Sequence, residues 1–254
     1  MIPYFELREI PIGGGRSIAA FGVLVVIGIA LGIRFAQSRA RALGVPEREM
    51  NVAIAWALVA GLLGSHVLVL LTEPAASTRG VGSVVEFWRG MSSFGGFFGA
   101  LVGLAFYFRG RSWWVEADVL MQALVVGWVF GRLGCTLVHD HVGAPSTFPL
   151  AIRFPDGPRH DLGLYELLYT VLVLVPAVLL LNRRPRTPGA TIWVIALLYA
   201  PARFLGDFLR HTDLPNPDAR YLGLTPAQYA CLGVAAVAVA VARRRPLTPT
   251  SRPS

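Results

Sequence analysis

The chain has 254 residues, of which 54% are hydrophobic and only 15% are charged, and its formal net charge is +8. The apolar residues fall in long blocks, which excludes an ordinary soluble domain and favours a polytopic membrane protein. All 23 basic residues are arginines that stand mainly at the ends of these blocks, so they indicate orientation in a membrane and not nucleic-acid binding.

Seven apolar segments approach the ~20 residues that a helix needs to cross a bilayer. Glycine and proline mark the connections between them, as in "RTPG" and "LPNPD". The sequence therefore predicts an all-α polytopic membrane protein that forms one integral membrane domain over residues 1–254. Its predicted transmembrane helices are 17–33, 51–72, 91–108, 119–138, 162–181, 189–209 and 225–242.

An odd number of spans places the two termini on opposite sides of the membrane. The arginine-rich stretches "LLLNRRPR" and "VAVARRRP" follow the fifth and seventh spans and so lie on the same side. Because basic residues concentrate in cytoplasmic connections, we expect the N-terminus outside and the C-terminus inside. The longest outer connection, about 139–161, is then a small extracytoplasmic loop region, and its "FPLAIRF" stretch has the composition of a short strand.

The predicted spans contain ionisable residues, and with this orientation all of them lie at one depth, towards the outer side. A charge at the centre of a span costs about 2.5–3.5 kcal/mol on insertion scales, so such residues are candidates for a functional site. The group comprises His66, Arg132, Glu166, Arg203, Asp207 and Arg210.

Three members of this group, Arg203, Asp207 and Arg210, are spaced i, i+4 and i+7. On a helix they share one face, where Asp207 can neutralise either arginine. Arginines in excess of carboxylates form an anion site whose planar donors suit a phosphodiester. The alternative is that the arginines only extend to the membrane interface and bind no ligand.

Histidines cluster in the outer loop as His139, His141 and His160, beside Asp140 and Asp161. Imidazole and carboxylate groups are common metal ligands, but no further ligand has a diagnostic spacing. General acid–base chemistry suits these histidines better, since an unperturbed imidazole titrates near pH ~6.5. We expect no metal and no cofactor, and the two cysteines, Cys135 and Cys231, form no CxxC motif.

Several motifs, taken in order, resemble those of the prolipoprotein diacylglyceryl transferase family. "GRLG" at 131–134 ends the fourth span, and "RHDLGLYE" at 159–166 opens the fifth. "YAPARFLGDFLR" at 199–210 and "LTPAQY" at 224–229 follow, while "SIAAFG" at 17–22 and "GMSSFGGFFGALVG" at 90–103 precede them. The resemblance extends from about residue 12 to residue 243.

The resemblance implies an enzyme that transfers the diacylglyceryl group of phosphatidylglycerol to the lipobox cysteine thiol in a prolipoprotein signal peptide. The reaction would occur at the extracytoplasmic face of the bacterial cytoplasmic membrane and release glycerol phosphate. Arg132 and Arg203 match functional arginines of the family and would hold the phosphate. The other positions that the resemblance assigns to substrate binding are Gly95, Gly96, Tyr165, Glu166, Asp207, Arg210 and Gln228.

The chain departs from the family pattern at three hydrogen-bonding positions, and in addition Asp207 stands where a glutamate is more usual. Phe94 stands where a histidine is usual, Cys135 where an asparagine is usual, and Phe21 where a tyrosine is expected. Two alternatives follow. In the first, His139, His141 or His160 acts as the acid or base and the chain remains an active transferase. In the second, the chain binds anionic phospholipid but has a different acceptor or no transferase activity.

A membrane transporter is a further alternative from a different functional class. Transporters place their ligands near the bilayer midplane, between sequence repeats. No repeat is visible in this chain, and its ionisable residues gather on one side. The sequence therefore favours the transferase.

Overall fold

A computed structural model describes residues 1–72, 92–215 and 217–248. The backbone divides into two compact units, Met1–Ala36 with Ala117–Ser254, and Gln37–Glu116. The organisation of the chain as one membrane domain stays a prediction. The candidate functional residues after position 117 all lie in the first unit.

The helical membrane fold is confirmed, although the described residues also form two small sheets. Within the described ranges, six helices are long and apolar enough to span a membrane: Ala20–Ala42, Glu47–Leu71, Trp114–Val138, Leu162–Leu181, Ala190–Leu209 and Pro226–Arg244. A seventh apolar helix, Ser93–Tyr107, has 15 residues and is shorter than the other six. The start of the predicted third span, Met91, lies outside the described residues. Because this helix is short, the count of seven spans stays a prediction, and so does the orientation in the membrane.

The helices are numbered in chain order: α1 Ala20–Ala42, α2 Glu47–Thr72, α3 Ser93–Tyr107, α4 Trp114–Val138, α5 Leu162–Tyr169, α6 Val175–Leu181, α7 Ala190–Gly206 and α8 Pro226–Arg244. A π-helical turn, Thr170–Leu174, joins α5 to α6, and together they cover the predicted fifth span from end to end. A 3₁₀ turn, Asp207–Leu209, follows α7.

The predicted bounds of the first span were wrong at both ends. Residues Arg16–Ala19 form strand β3, which pairs antiparallel with β2, Glu9–Gly13, so the helix cannot begin before Ala20. At the other end, α1 continues to Ala42 through residues that are polar but good helix formers. Apolar content alone therefore set neither boundary.

A small sheet forms in the predicted outer loop region. Its strands are β1 Ile2–Pro3, β4 Val142–Pro145, β5 Ile152–Phe154 and β6 Gly157–Asp161, in the order β1-β5-β6-β4. The strand predicted in "FPLAIRF" is confirmed as β5, which pairs antiparallel with β6 and parallel with β1. The N-terminal segment is thus fixed to the loop between α4 and α5.

Within the first unit, the helices pack through small residues and a compact apolar core. Helices α1 and α4 approach closely at Gly28, where a Cβ would come within 2.8 Å of the Gly127 carbonyl oxygen. A core cluster joins α4, the π-helical turn, α6 and α7, and it contains Val125, Leu174, Val178, Leu181 and Ile195. Asp118 caps α7 by accepting hydrogen bonds from the Gly189 and Ile192 amides at 2.7 and 3.1 Å.

In the second unit, α2 and α3 pack through a stripe of glycines. Gly95, Gly99 and Gly103 are buried at four-residue spacing on α3. A Cβ at Gly99 would lie 2.2 Å from the Ala60 carbonyl oxygen, and one at Gly95 would lie 2.3 Å from the Gly64 carbonyl oxygen. Small residues at this spacing let helix backbones approach closely in a membrane.

Replacing Gly99 with alanine is expected to lower the thermal unfolding midpoint in detergent, because the added methyl group meets backbone of α2. Gly96→Ala is the matched control, since the added Cβ would lie 3.8 Å from its nearest described neighbours. In a helix, alanine is more favourable than glycine by about 1 kcal/mol. An unfolding midpoint for Gly99→Ala equal to that for Gly96→Ala would show that the glycine contact does not limit stability.

Candidate functional site

Two arginines from different helices meet on one carboxylate in the first unit. Glu166 on α5 forms ion pairs with both: its Oε2 lies 3.1 Å from Arg132 Nη2, and its Oε1 lies 3.2 Å from Arg203 Nε. Tyr199 Oη donates to the same Oε2 at 2.9 Å. The Arg132, Glu166 and Arg203 side chains are each no more than 13% exposed. Helices α4, α5 and α7 thus bury this group, which we call the first ionic node.

Asp207 forms a second ionic node directly after α7. Its Oδ1 accepts from Arg203 Nη1 at 2.5 Å and from Arg210 Nε at 2.7 Å. Its Oδ2 accepts from the Thr225 hydroxyl, and Asp207 is 0% exposed. The predicted pairing of Asp207 with both arginines is confirmed, although Arg210 lies beyond the helix and its Nη1 also contacts Asp218 at 2.7 Å.

Arg132 has contacts on several sides but keeps an unused donor. Its guanidinium carbon lies 4.4 Å above the Trp128 ring, and Nη1 donates to His141 Nε2 at 3.3 Å and lies 3.7 Å from Cys135 Sγ. Among the described residues, Arg132 Nε has no hydrogen-bond partner although the residue is only 8% exposed. A buried donor without a partner is costly, and an incoming anion would satisfy it.

Charge favours an anion over a cation at this site. Around Glu166, two guanidinium groups face one carboxylate, whereas Arg210 is balanced by Asp207 and Asp218. Cys135, Asp140 and His141 do bring ligand-type atoms within 4.8 Å of one another. However, the Arg132 guanidinium contacts two of these three side chains, and its fixed positive charge disfavours a metal ion there.

His139 is tied to the fold at both ring nitrogens. Nδ1 lies 2.6 Å from Asp161 Oδ2, and Nε2 lies 3.0 Å from the carbonyl oxygen of Phe5 in the N-terminal segment. The ring also stacks on Tyr4, with their centroids 4.9 Å apart. Asp161 itself caps α5 by accepting from the Leu164 amide at 2.8 Å. These contacts suit an architectural residue better than a mobile proton carrier.

His160 lies in β6, with Nδ1 2.8 Å from Tyr165 Oη. Burial lowers the pKa of His160 below its ordinary value. Tyr165 also lines a cleft of about 160 Å³ between α5 and α7, together with Leu162, Glu166, Tyr169, Tyr199, Ala202, Arg203 and Gly206. The cleft is mainly apolar and leads to the charged pair Glu166 and Arg203.

The remaining sequence-predicted site residues lie elsewhere. Gln228 is 0% exposed, donates to the Phe204 carbonyl oxygen at 3.1 Å and accepts from the Thr225 amide at 2.9 Å. With Thr225 it forms a capping box at the start of α8, so its side chain serves the helix terminus. Gly95 and Gly96 belong to the second unit, where Gly95 packs against α2.

Sequence reasoning missed three residues that the structure places around the arginines: Trp128, Tyr199 and Thr225. Trp128 precedes Arg132 by four residues on α4, a spacing that places the two side chains on one helix face. Thr225 and Gln228 have the spacing of a capping box, so that signal was present in the sequence. The contact of Tyr199 with Glu166 depends on packing of α5 against α7 and had no local signal.

The model of the family described as prolipoprotein diacylglyceryl transferase matches residues 10–243. The chain belongs to this family. Among curated relatives, the phosphatidylglycerol–prolipoprotein diacylglyceryl transferase of Nitratidesulfovibrio vulgaris is 30% identical over 245 residues, covering 91% of each chain. The protein of the same name from Polynucleobacter asymbioticus is 28% identical and covers 95% of this chain and 97% of its own length. The prolipoprotein diacylglyceryl transferase family thus accounts for nearly the whole chain, including both ionic nodes.

Proposed function

We propose that this protein transfers the diacylglyceryl group of phosphatidylglycerol to the thiol of the lipobox cysteine in a prolipoprotein signal peptide. Membership of the family and the names of its relatives support this proposal. The sulfur attacks the glyceryl methylene carbon, a thioether bond forms, the carbon–oxygen bond to phosphate breaks, and glycerol phosphate leaves. The reaction requires no cofactor.

The observation that carries the proposal is the buried bridge in which Arg132 and Arg203 hold the two oxygens of Glu166. The two guanidinium groups are preorganised in an apolar span, where fixed donors stabilise negative charge much more than they do in water. Arg132 and Arg203 bind the phosphodiester and stabilise the charge that develops on the departing phosphate. Glu166 holds them in place, and Asp207 orients Arg203 and Arg210.

The cleft between α5 and α7 offers a place for the glycerol backbone next to these arginines. Leucine, alanine and three tyrosines form most of its wall, while Glu166 and Arg203 supply its charged end. An apolar cleft that ends in a few polar groups is the usual form of a small-molecule site. We assign the diacylglyceryl end of the lipid to this wall, with Tyr165 contacting the substrate.

The reaction takes place at the extracytoplasmic face of the bacterial cytoplasmic membrane. The positive-inside distribution of arginine supports this side, because it places the outer ends of α4 and α7 near Arg132 and Arg203. The partners are therefore membrane lipid and the signal peptides of exported prolipoproteins.

The direct test is an assay of the purified protein in detergent. Phosphatidylglycerol and a synthetic signal peptide with a lipobox cysteine are supplied, and the peptide is weighed by mass spectrometry. We expect a mass gain of one diacylglyceryl group, and none on a peptide whose cysteine is replaced by serine. No gain, under conditions in which another family member modifies the same peptide, would overturn the proposal.

A further inference from the structure

His141 is the histidine whose unprotonated ring nitrogen faces Arg132. Its Nδ1 lies 2.5 Å from Asp140 Oδ1, and its Nε2 lies 3.3 Å from Arg132 Nη1. Because arginine only donates, Nε2 must be the acceptor, so the proton lies on Nδ1 and is donated to Asp140. The geometry therefore fixes the neutral tautomer, with a basic nitrogen pointing at Arg132.

Asp140 is suited to hold this tautomer. Burial opposes its ionisation, but the hydrogen bond to His141 and the nearby positive charges keep the pKa of Asp140 below its ordinary value. It is thus a carboxylate that orients the imidazole and would stabilise the imidazolium. Among the described residues, the other titratable groups near His141 include Arg132, which donates to it, and Cys135, whose sulfur lies within 4.8 Å of the ligand-type atoms of Asp140 and His141. Asp161, the carboxylate partner of His139, is also close enough for a charge interaction with His141.

The other candidate bases near the arginines are engaged. Both oxygens of Glu166 are ion-paired with arginine, and both oxygens of Asp207 are hydrogen-bonded. Both ring nitrogens of His139 are held by groups of the fold, Asp161 and the Phe5 carbonyl oxygen, and not by an arginine that a phosphate could engage. His160 is hydrogen-bonded to Tyr165 and, among the described residues, contacts neither Arg132 nor Arg203.

We propose that the Asp140–His141 pair is the general base that takes the proton from the acceptor thiol, with His141 as the catalytic residue and Asp140 as its positioning residue. This inference rests on the proposed function. His141 Nε2 accepts the thiol proton while the sulfur electron pair forms the bond to the glyceryl carbon. The electrons of the broken carbon–oxygen bond stay on the phosphate, and His141 then returns its proton to the released glycerol phosphate or to water.

The contact with Arg132 links this base to lipid binding. Nη1 of Arg132 donates to the electron pair of His141 Nε2. A bound phosphodiester competes for the same guanidinium, because a charge-assisted hydrogen bond to phosphate is stronger than one to a neutral imidazole. Phosphatidylglycerol therefore frees Nε2 at the moment when a proton acceptor is needed, next to the carbon that is attacked.

His141→Gln tests the base. Glutamine can still accept a hydrogen bond from Arg132 through its amide oxygen, but it cannot take a proton. At pH ~7 we expect kcat to fall about 10²-fold, with the KM for phosphatidylglycerol nearly unchanged. His211→Gln, a matched change outside the two ionic nodes, should keep the wild-type rate. Asp140→Asn should show a smaller loss of the same kind, and it serves as the second variant if His141→Gln does not fold.

The dependence on pH separates a base from a structural residue. A free thiol has a pKa of about 8.5, so at pH ~9.5 most of the acceptor is already thiolate and needs no base. The defect of His141→Gln should then shrink to less than about tenfold, whereas a structural defect would persist. If the wild type transfers the group and His141→Gln has the same rate, the assignment of His141 as the base is wrong. The same holds if His160→Gln, instead of His141→Gln, shows a loss that high pH restores. Neither result would affect the proposed function. Failure of the wild type to transfer would overturn the proposed function itself.

Discussion

Replacing Arg132 with lysine is expected to lower kcat/KM for diacylglyceryl transfer by about 10²–10³-fold, the range found when one charge-stabilising donor is removed from an active site. Lysine keeps the positive charge but loses the planar group that contacts Glu166, His141 and Trp128 at once. Because the charge is retained, the Glu166 carboxylate keeps a counter-ion and the fold should persist. Initial rates from peptide mass spectrometry, with phosphatidylglycerol varied, measure the change.

Arg153→Lys is the matched control, since Arg153 lies exposed on β5 away from the two ionic nodes. It should transfer at the wild-type rate. A fall in both variants would indicate general damage, which a comparison of their thermal unfolding midpoints would detect. Retention of more than half the wild-type rate by Arg132→Lys would remove Arg132 from the phosphate site.

The sequence predicted which ionisable residues share a depth in the membrane and which lie close together on one helix. The rarity of charge within apolar spans singled out Arg132, Glu166 and Arg203, and helical spacing placed Asp207 beside Arg203. The structure adds that Glu166 joins Arg132 to Arg203. That contact depends on how three helices pack, which no local pattern encodes.

The histidines show where sequence reasoning stops. His139, His141 and His160 were equivalent candidates because all three fall in one loop. Pairing of the N-terminal segment with that loop sets them apart, since His139 reaches the carbonyl oxygen of Phe5 across more than a hundred residues of chain. The chain turns after α4 at His139, whose φ is 51°, and His141 then contacts Arg132. Neither the strand pairing nor this turn produces a periodic pattern in the sequence.

Some residues of the family motifs belong to the ionic site, whereas others stabilise the helices that position it. Gln228 lies in "LTPAQY", and resemblance alone assigned it to the substrate, whereas the structure shows both ends of its amide in hydrogen bonds at the start of α8. Thr225 joins that cap to Asp207 through its hydroxyl group. The motif thus acts on the site indirectly, because it holds the carboxylate that orients Arg203.

Replacing Asp207 with asparagine is expected to lower the free energy of unfolding by about 3–5 kcal/mol, the usual cost of removing one partner from a buried ion pair. Asp207 is fully buried, and its Oδ1 accepts from both Arg203 and Arg210. An amide cannot neutralise either guanidinium and presents only one oxygen. Thermal and denaturant unfolding in detergent, followed by circular dichroism, would measure the loss.

Asp156→Asn provides the matched comparison, because Asp156 also pairs with an arginine, Arg159, but is 49% exposed. An exposed ion pair contributes about 0–1 kcal/mol, so this variant should unfold almost as the wild type does. Equal stability of the two variants would show that the Asp207 node does not hold α7 and α8 together. A large loss at Asp207 alone would show that Arg203 and Arg210 depend on this buried carboxylate for their place in the fold.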